Sequence, residues 1–127
     1  MLDDLRTFII GDTAVQALIS SRMYPTMLPQ AVTLPALTYQ VVSATRAPTM
    51  RHNDNLPTKR IQIDAWSRSV DEARAVAEAI RALFHYYERG DITGVQGVFL
   101  QDEREDYEPD TLLYRVSRDY MVHHAEA

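Results

Sequence analysis

The chain lacks cysteine, and it has few glycines, almost no lysine and no long apolar run. Without cysteine, disulfide bonds and thiolate metal ligands are excluded. Its four glycines and four histidines form neither a phosphate-binding loop nor a zinc-protease motif. No apolar run approaches the roughly 20 residues that span a bilayer. The opening MLDDLRTFIIGD is acidic and does not fit a signal peptide, so no membrane partner is expected.

Positive charge is also scarce. The formal net charge is −5, and the basic residues are twelve arginines and the single Lys59. A chain without a basic excess is not expected to bind nucleic acid, either generally or by sequence. Arginine favours bidentate ion pairs at interfaces, although genomic base composition explains its excess equally well. A length of 127 residues predicts one domain, residues 1–127.

The most informative segment changes its hydrophobic period in the middle. Ile61, Ile63 and Ala65 alternate with polar residues, which predicts a strand with one apolar face. Ser69 and Glu72 then have the spacing of a capping box, which marks the start of a helix. The apolar stripe of this helix consists of Val76, Ile80, Leu83 and Phe84. This strand–helix unit carries no catalytic group.

The remaining periodicities predict an α+β fold with the order α-α-β-β-α-β-β. Two short helices precede an extended, proline-containing connector at Tyr24–Pro35. Three further strands are predicted around Leu37–Val42, at Val95–Leu100 and at Leu112–Val122. Short connections favour a four-stranded, mainly antiparallel sheet with the helices packed on it.

A long polar segment, residues 44–58, separates the first two predicted strands. A hairpin loop of this length without regular structure is typically mobile or functional. Basic residues lie in it and just after it, together with one histidine: Arg46, Arg51, His52, Lys59 and Arg60. We therefore predict that this basic group contacts another subunit or a partner, or else that it is a solvated end of the domain.

An acidic run follows the third strand, in the sequence DEREDYEPD. Its candidate contact residues are Asp102, Glu103, Glu105, Asp106 and Glu108. We expect a charged, exposed turn, where carboxylates keep ordinary pKa values and make poor catalysts. Set against the basic group, the run gives the molecule two oppositely charged ends, which would suit head-to-tail association into a ring. Solvated ends are the competing interpretation.

Trp66 is the single tryptophan, and the alternation of its strand places it on the face opposite the apolar one. Two interpretations follow. Either a terminal helix covers the ring, or Trp66 anchors a subunit interface, since large aromatic residues concentrate at interface centres.

Taken in order, several short motifs resemble the tail-completion proteins, also called tail terminator or head–tail joining proteins, of long-tailed bacteriophages and prophages. The matching segments are Arg22-Met23-Tyr24-Pro25, Leu34-Pro35-Ala36-Leu37-Thr38-Tyr39-Gln40, Arg60-Ile61-Gln62-Ile63-Asp64-Ala65-Trp66-Ser67, Gly97-Val98-Phe99-Leu100 and Tyr114-Arg115-Val116. The resemblance implies an α+β domain that assembles as a hexameric ring, caps the tail tube, stops its polymerisation and offers a surface to the head.

The same resemblance implies partners and a location. The partners would be further copies of the chain, the tail tube protein and a head connector or head-closure protein. The protein would lie in the virion, at the head-proximal end of the tail, after assembly in the host cytoplasm. The family is not enzymatic, so no catalytic residue, metal or cofactor is expected. Two alternatives stay open: another connector component, such as a head-closure or minor tail protein, and a small hydrolase or metal-binding enzyme built on the acidic run.

Overall fold

The structure, a computed structural model, describes residues 2–45 and 58–124. It has the predicted α+β architecture, with helices packed on one face of a single sheet. In chain order the elements are α1 (Leu2–Ile10), α2 (Thr13–Ile19), β1 (Met23–Pro25), β2 (Ala36–Thr45), β3 (Thr58–Ser67), α3 (Val70–His85), β4 (Val95–Glu108) and β5 (Leu113–His124). None of the described helices is long and apolar enough to cross a bilayer.

The sheet has five strands rather than the four predicted, in the spatial order β1-β2-β3-β5-β4. The extra strand, β1, lies at the start of the predicted connector and pairs in parallel with Leu37–Tyr39 of β2, while all other pairs are antiparallel. Three residues are too few to show a period, so the sequence pattern could not reveal this strand. Tertiary contacts hold it: Arg6 Nε donates to the carbonyl of Met23 at 2.9 Å.

The predicted strand–helix unit is confirmed. Ile61, Ile63 and Ala65 are buried, and Val76 and Ile80 of α3 belong to the same core. Helices α1 and α2 lie on this side too, since α2 contacts α3 and the ring of Phe8 stacks on Phe84 at 6.2 Å. The opposite face of the sheet therefore carries no helix in the described part of the chain.

The start of α3 uses a variant of the predicted capping box. The Ser69 hydroxyl accepts a hydrogen bond from the Glu72 amide at 3.4 Å, as expected. The Glu72 carboxylate does not reach back to Ser69 directly. It accepts from the Ser67 hydroxyl at 2.5 Å, and the same hydroxyl oxygen accepts from the Ser69 amide at 3.2 Å. The last residue of β3 is thus part of the helix cap.

The acidic run is not a turn, and this prediction was wrong. Strand β4 continues through it to Glu108, paired along its length with β5, and the connecting turn comprises residues 109–112. The many charges hid the strand, because the pattern of β4 after Leu100 is polar on both faces.

Both ends of the predicted loop are strand, because β2 extends to Thr45 and β3 begins at Thr58. Residues 46–57 lie outside the described residues. The predicted mobility of this loop and the candidate contacts Arg46, Arg51 and His52 therefore stay predictions.

Candidate interaction surfaces

The face of the sheet without helices carries a network of charged and polar side chains. Strand register places side chains from β3, β5 and β4 side by side here: Asp64 opposite Ser117, which lies opposite Arg104, and Gln62 opposite Asp119, which lies opposite Asp102. Asp64, Ser117 and Asp119 are at most 5% exposed. The longer side chains around them provide this cover, as arginine stems do when they lie along a surface. We call this surface the open face.

Two arginines bind one buried carboxylate on the open face. Asp119 Oδ2 lies 2.8 Å from Arg60 Nη2, and its Oδ1 lies 3.1 Å from Arg104 Nη2. Arg104 also contacts Asp102 at 2.7 Å. A carboxylate this buried is stabilised by charged hydrogen-bond donors. Arg60 is therefore engaged within its own chain, and its predicted contact with another subunit or a partner stays a prediction.

Asp64 has a different environment, because its hydrogen-bond donors are neutral. The Ser117 hydroxyl donates to Oδ1 at 2.5 Å, and Gln62 Nε2 donates to both oxygens at 3.0 and 2.9 Å. Burial raises the pKa of the Asp64 carboxyl above its ordinary value, and these hydrogen bonds oppose the shift only in part. Asp64 is thus a buried carboxylate without a direct cationic partner among the described residues.

Trp66 also lies on the open face, half-buried, so its predicted placement opposite the apolar face is confirmed. The expectation of a covering terminal helix was wrong, because the described helices pack on the other side. Arg115 covers the ring instead, with its guanidinium carbon 5.5 Å from the ring centroid. Indole Nε1 donates to Thr38 Oγ1 at 2.9 Å, and Arg115 contacts Asp106 at 2.7 Å.

On the helix side of the sheet, the acidic half of β4 is bound to α3 and β5. Glu105 forms a bidentate pair with Arg74, at 2.9 and 2.7 Å, and this hydrogen bonding lowers the pKa of Glu105. Glu103 lies 3.1 Å from Arg118 Nε. Arg118 is only 8% exposed and also donates to the Ala77 carbonyl at 3.1 Å.

The acidic residues are therefore largely neutralised within the chain. Asp102, Glu103, Glu105 and Asp106 each contact an arginine, whereas the described contact of Glu108 is a hydrogen bond from the Thr111 hydroxyl. These arginine partners were missed from sequence. Pairing of β4 with β5 would have indicated two of them, Arg115 and Arg118, because they lie opposite Asp106 and Glu103.

Two features bear on possible chemistry at the surface of the described residues. No group of three potential metal ligands occurs there. A groove of about 470 Å³ lies between α3 and β4 and is lined by residues that include Phe84, Phe99 and Tyr120. Burial raises the pKa of the Tyr120 phenol to about 12, so it stays protonated at neutral pH and is no base.

Comparison with models of protein families shows which family the chain belongs to, which the geometry alone does not show. The family model described as tail completion protein gp17 matches residues 3–125, nearly the whole chain. The chain belongs to this family of bacteriophage tail completion proteins. The resemblance inferred from the ordered motifs is thereby confirmed.

Comparison with solved structures supports the fold of this tail completion protein. The chain is similar to a chain of a structure titled "Virion of native gene transfer agent (GTA) particle", with a TM-score of 0.67 and 13% identity. The similarity covers 98% of this chain and 91% of the other. A comparison with curated proteins found no significant match.

Proposed function

We propose that this tail completion protein forms a hexameric ring that caps the tail tube, ends its polymerisation and provides the surface that joins the tail to the head. The observation that carries the proposal is membership of the tail completion family over residues 3–125. The similarity of fold to a chain of a gene transfer agent virion supports it.

The proposed partners are further copies of the chain, the tail tube protein and a head connector or head-closure protein. The proposed location is the head-proximal end of the virion tail, reached after assembly in the host cytoplasm. A symmetric tube end favours such assembly, because several weak contacts made at once are far stronger than each alone. A chain that associates weakly by itself can therefore act only where the tube presents several sites.

The register of the sheet supports two distinct ends for tube and head. Lys59, at the beginning of β3, lies beside Val122 near the end of β5, whereas Glu108 lies beside Leu113 at the other end of the sheet. At about 3.3 Å per residue, these ends are roughly 30 Å apart. We propose that the two ends contact different partners, and that the open face with Trp66 is left for a partner rather than for a second copy.

We also propose that the protein has no catalytic activity. Four of the five candidate carboxylates are engaged by arginines, and a general base must be free to accept a proton. An enzyme built on this strand would need Asp102 or Glu105 for turnover. Loss of a measurable activity in Asp102→Asn or Glu105→Gln, with saturable cation binding by the unaltered chain, would support the enzyme instead.

Deleting the gene tests the role in tail assembly. Electron microscopy of the resulting particles should show overlong tails, or tails that are not joined to heads, and the unaltered gene supplied in trans should restore joined tails of uniform length. Tails of normal length together with heads that leak their DNA would instead identify a head-closure protein. That result would contradict the proposed capping of the tube.

A further inference from the structure

The sheet ends on two open strand edges, on opposite sides of the protomer. Strand β1 pairs only with Leu37–Tyr39 of β2, so the backbone of residues 40–45 has no partner on that side among the described residues. On the other side, β4 is the last strand, and the described chain leaves its outer edge unpaired along its whole length. Four strand spacings separate β1 from β4, about 19 Å.

Exposed apolar side chains gather at these two edges. Eight large apolar side chains are exposed in the described part of the chain, and six of them lie here, one of which, Tyr107, is in the acidic half of β4. Met27, which follows β1, is 73% exposed, and Val41 and Val42 of β2 are 38% and 47% exposed. On β4, Phe99 and Leu100 are 58% and 38% exposed. An apolar, unpaired edge is a template for pairing with another chain.

The two apolar edges lie at the same height of the sheet. Val41 pairs with Ile61, which pairs with Tyr120, which pairs with Leu100. The next row runs from Ser43 through Arg60 and Met121 to Phe99. In the acidic half of β4, the three residues 103–105 share their rows with Leu37–Tyr39, the part of β2 that β1 already covers.

Two different edges that expose apolar residues at the same height are compatible with a ring of identical subunits. Neighbouring copies in a ring are related by rotation, so each uses two different surfaces, and residues at equal height meet when the strands run along the ring axis. Strand β4 is antiparallel to β2, since each of the three intervening pairs reverses direction. A neighbouring β4 therefore approaches β2 in antiparallel orientation.

We propose that the apolar half of β4 in one copy pairs with the open half of β2 in the next, so that the sheet continues from subunit to subunit around the ring. The proposal rests on the proposed ring and assigns its lateral contact. Beyond the register shift between Leu100 and Asp102, the acidic half of β4 turns away from this pairing, because β1 of the next copy occupies that side of β2. A slip along the strand would bring charged residues against Val41 and Val42, which fixes the register. The charged ends of the sheet are then left to face the tube and the head.

Cysteine pairs test this contact, and the absence of native cysteine makes them specific. Val41→Cys with Leu100→Cys in one chain should give intermolecular disulfides under oxidising conditions, because opposed antiparallel residues lie about 5 Å apart. Rings assembled on tubes of the cognate tail tube protein should yield a ladder of covalent oligomers that ends at the ring size. Non-reducing gel electrophoresis measures the ladder.

The matched control is a chain that combines Val41→Cys with Glu105→Cys. Glu105 lies on the same edge and the same face as Leu100, but on the row of Leu37, about 13 Å further along the strand. This pair should not form a ladder. Equal cross-linking by both pairs would overturn the proposed register, and dimers from Leu100→Cys alone would show that two copies meet through the same edge.

A second variant guards against loss of folding. Val42→Glu places a charge at the open edge, where the side chain is 47% exposed, so the thermal melting of the monomer should stay unchanged. Ring assembly should fall about tenfold or more, because the carboxylate would be buried without a partner. If the unaltered chain forms rings and Val42→Glu assembles equally well, the edge contact alone is overturned. Failure of the unaltered chain to assemble on tubes would overturn the proposed function, and the edge contact with it.

Discussion

At the scale of single residues, arginine explains more of this structure than its sequence pattern suggested. The arginine excess was open to two interpretations, bidentate ion pairs at interfaces or genomic base composition. The structure shows ion pairs within the chain: Arg104 and Arg60 share Asp119, and Arg74 forms a fork with Glu105. In two of these pairs, Arg60 with Asp119 and Arg74 with Glu105, the partners are 31 or more residues apart in the sequence. Sequence spacing could therefore not identify them.

Among the described arginines, Arg118 is the one whose replacement should lower the free energy of unfolding most. It is 8% exposed and links β5 to α3 through the Ala77 carbonyl and Glu78, and to β4 through Glu103. Arg118→Met should lower the free energy of unfolding by about 1–3 kcal/mol, because the charged hydrogen bond to the buried Ala77 carbonyl is lost while the exposed glutamates rehydrate. Urea unfolding measures the change.

Arg81→Met is the control for that experiment, since Arg81 also pairs with Glu78 but is 46% exposed. Its effect should stay within about 0.5 kcal/mol. Equal losses in both variants would mean that the buried contacts of Arg118 contribute nothing special to stability.

Asp64 should make the protein less stable as the pH rises. Burial raises its folded-state pKa above the ordinary 3.8, so between these two values the folded state holds more protons than the unfolded state. The free energy of unfolding therefore falls as the pH rises above 3.8. The nearby Arg104 and Arg115 oppose the raised pKa but do not cancel it. The unfolding free energy of Asp64→Asn, relative to the unaltered chain, should therefore increase from acid to neutral pH.

Glu105→Gln should show the opposite dependence of stability on pH. The hydrogen bond to Arg74 lowers the folded-state pKa of Glu105, so its ionised form stabilises the fold above the ordinary 4.5 and loses this effect as the pH falls. Relative to the unaltered chain, Glu105→Gln should become less stable from acid to neutral pH. Profiles that both rise with pH would contradict the pKa assignment of Glu105, and profiles that both fall would contradict that of Asp64.

At the scale of elements, prediction succeeded where one face of a strand or helix is buried in the chain itself. The unit from Ile61 to Phe84 shows both periods clearly, because α3 packs directly on β3. Prediction failed for β1, which is too short for a period, and for the outer half of β4. That half pairs its charges with arginines of α3 and β5 rather than burying apolar residues, so its pattern resembles a solvated turn.

The cap of α3 should behave as one cooperative unit. The hydroxyl of Ser67 is fully buried and connects the Glu72 carboxylate to the Ser69 amide. Ser67→Ala and Glu72→Ala should each cost about 1 kcal/mol of unfolding free energy, in the range of helix-cap losses. Because each change breaks the same link, the double variant should cost clearly less than the sum of the two.

A double-mutant cycle in urea measures this coupling. Asp12→Ala serves as an independent reference, because Asp12 caps α2 by accepting from the Val15 amide at 3.2 Å. Its loss should add to that of Ser67→Ala without coupling. Full additivity of Ser67→Ala and Glu72→Ala would show that the link through the serine hydroxyl has no energetic weight.

At the scale of the whole molecule, the proposed ring separates three kinds of surface. The strand edges would hold neighbouring copies, the ends of the sheet would face tube and head, and the open face would stay accessible. Trp66 reports on the last of these, because it is the single tryptophan and lies half-buried on the open face beneath Arg115.

Acrylamide quenching of Trp66 fluorescence should therefore be the same in the ring and in the monomer, since contacts through β2 and β4 leave the indole uncovered. Arg115→Met removes the guanidinium that lies 5.5 Å from the ring centroid and weakens the cover of the indole. Quenching should rise in this variant by the same factor before and after assembly. A severalfold fall in quenching when the ring closes would place the open face, rather than the strand edges, between neighbouring copies. The interface would then be sheet against sheet, and the matching heights of the two apolar edges would have no part in assembly.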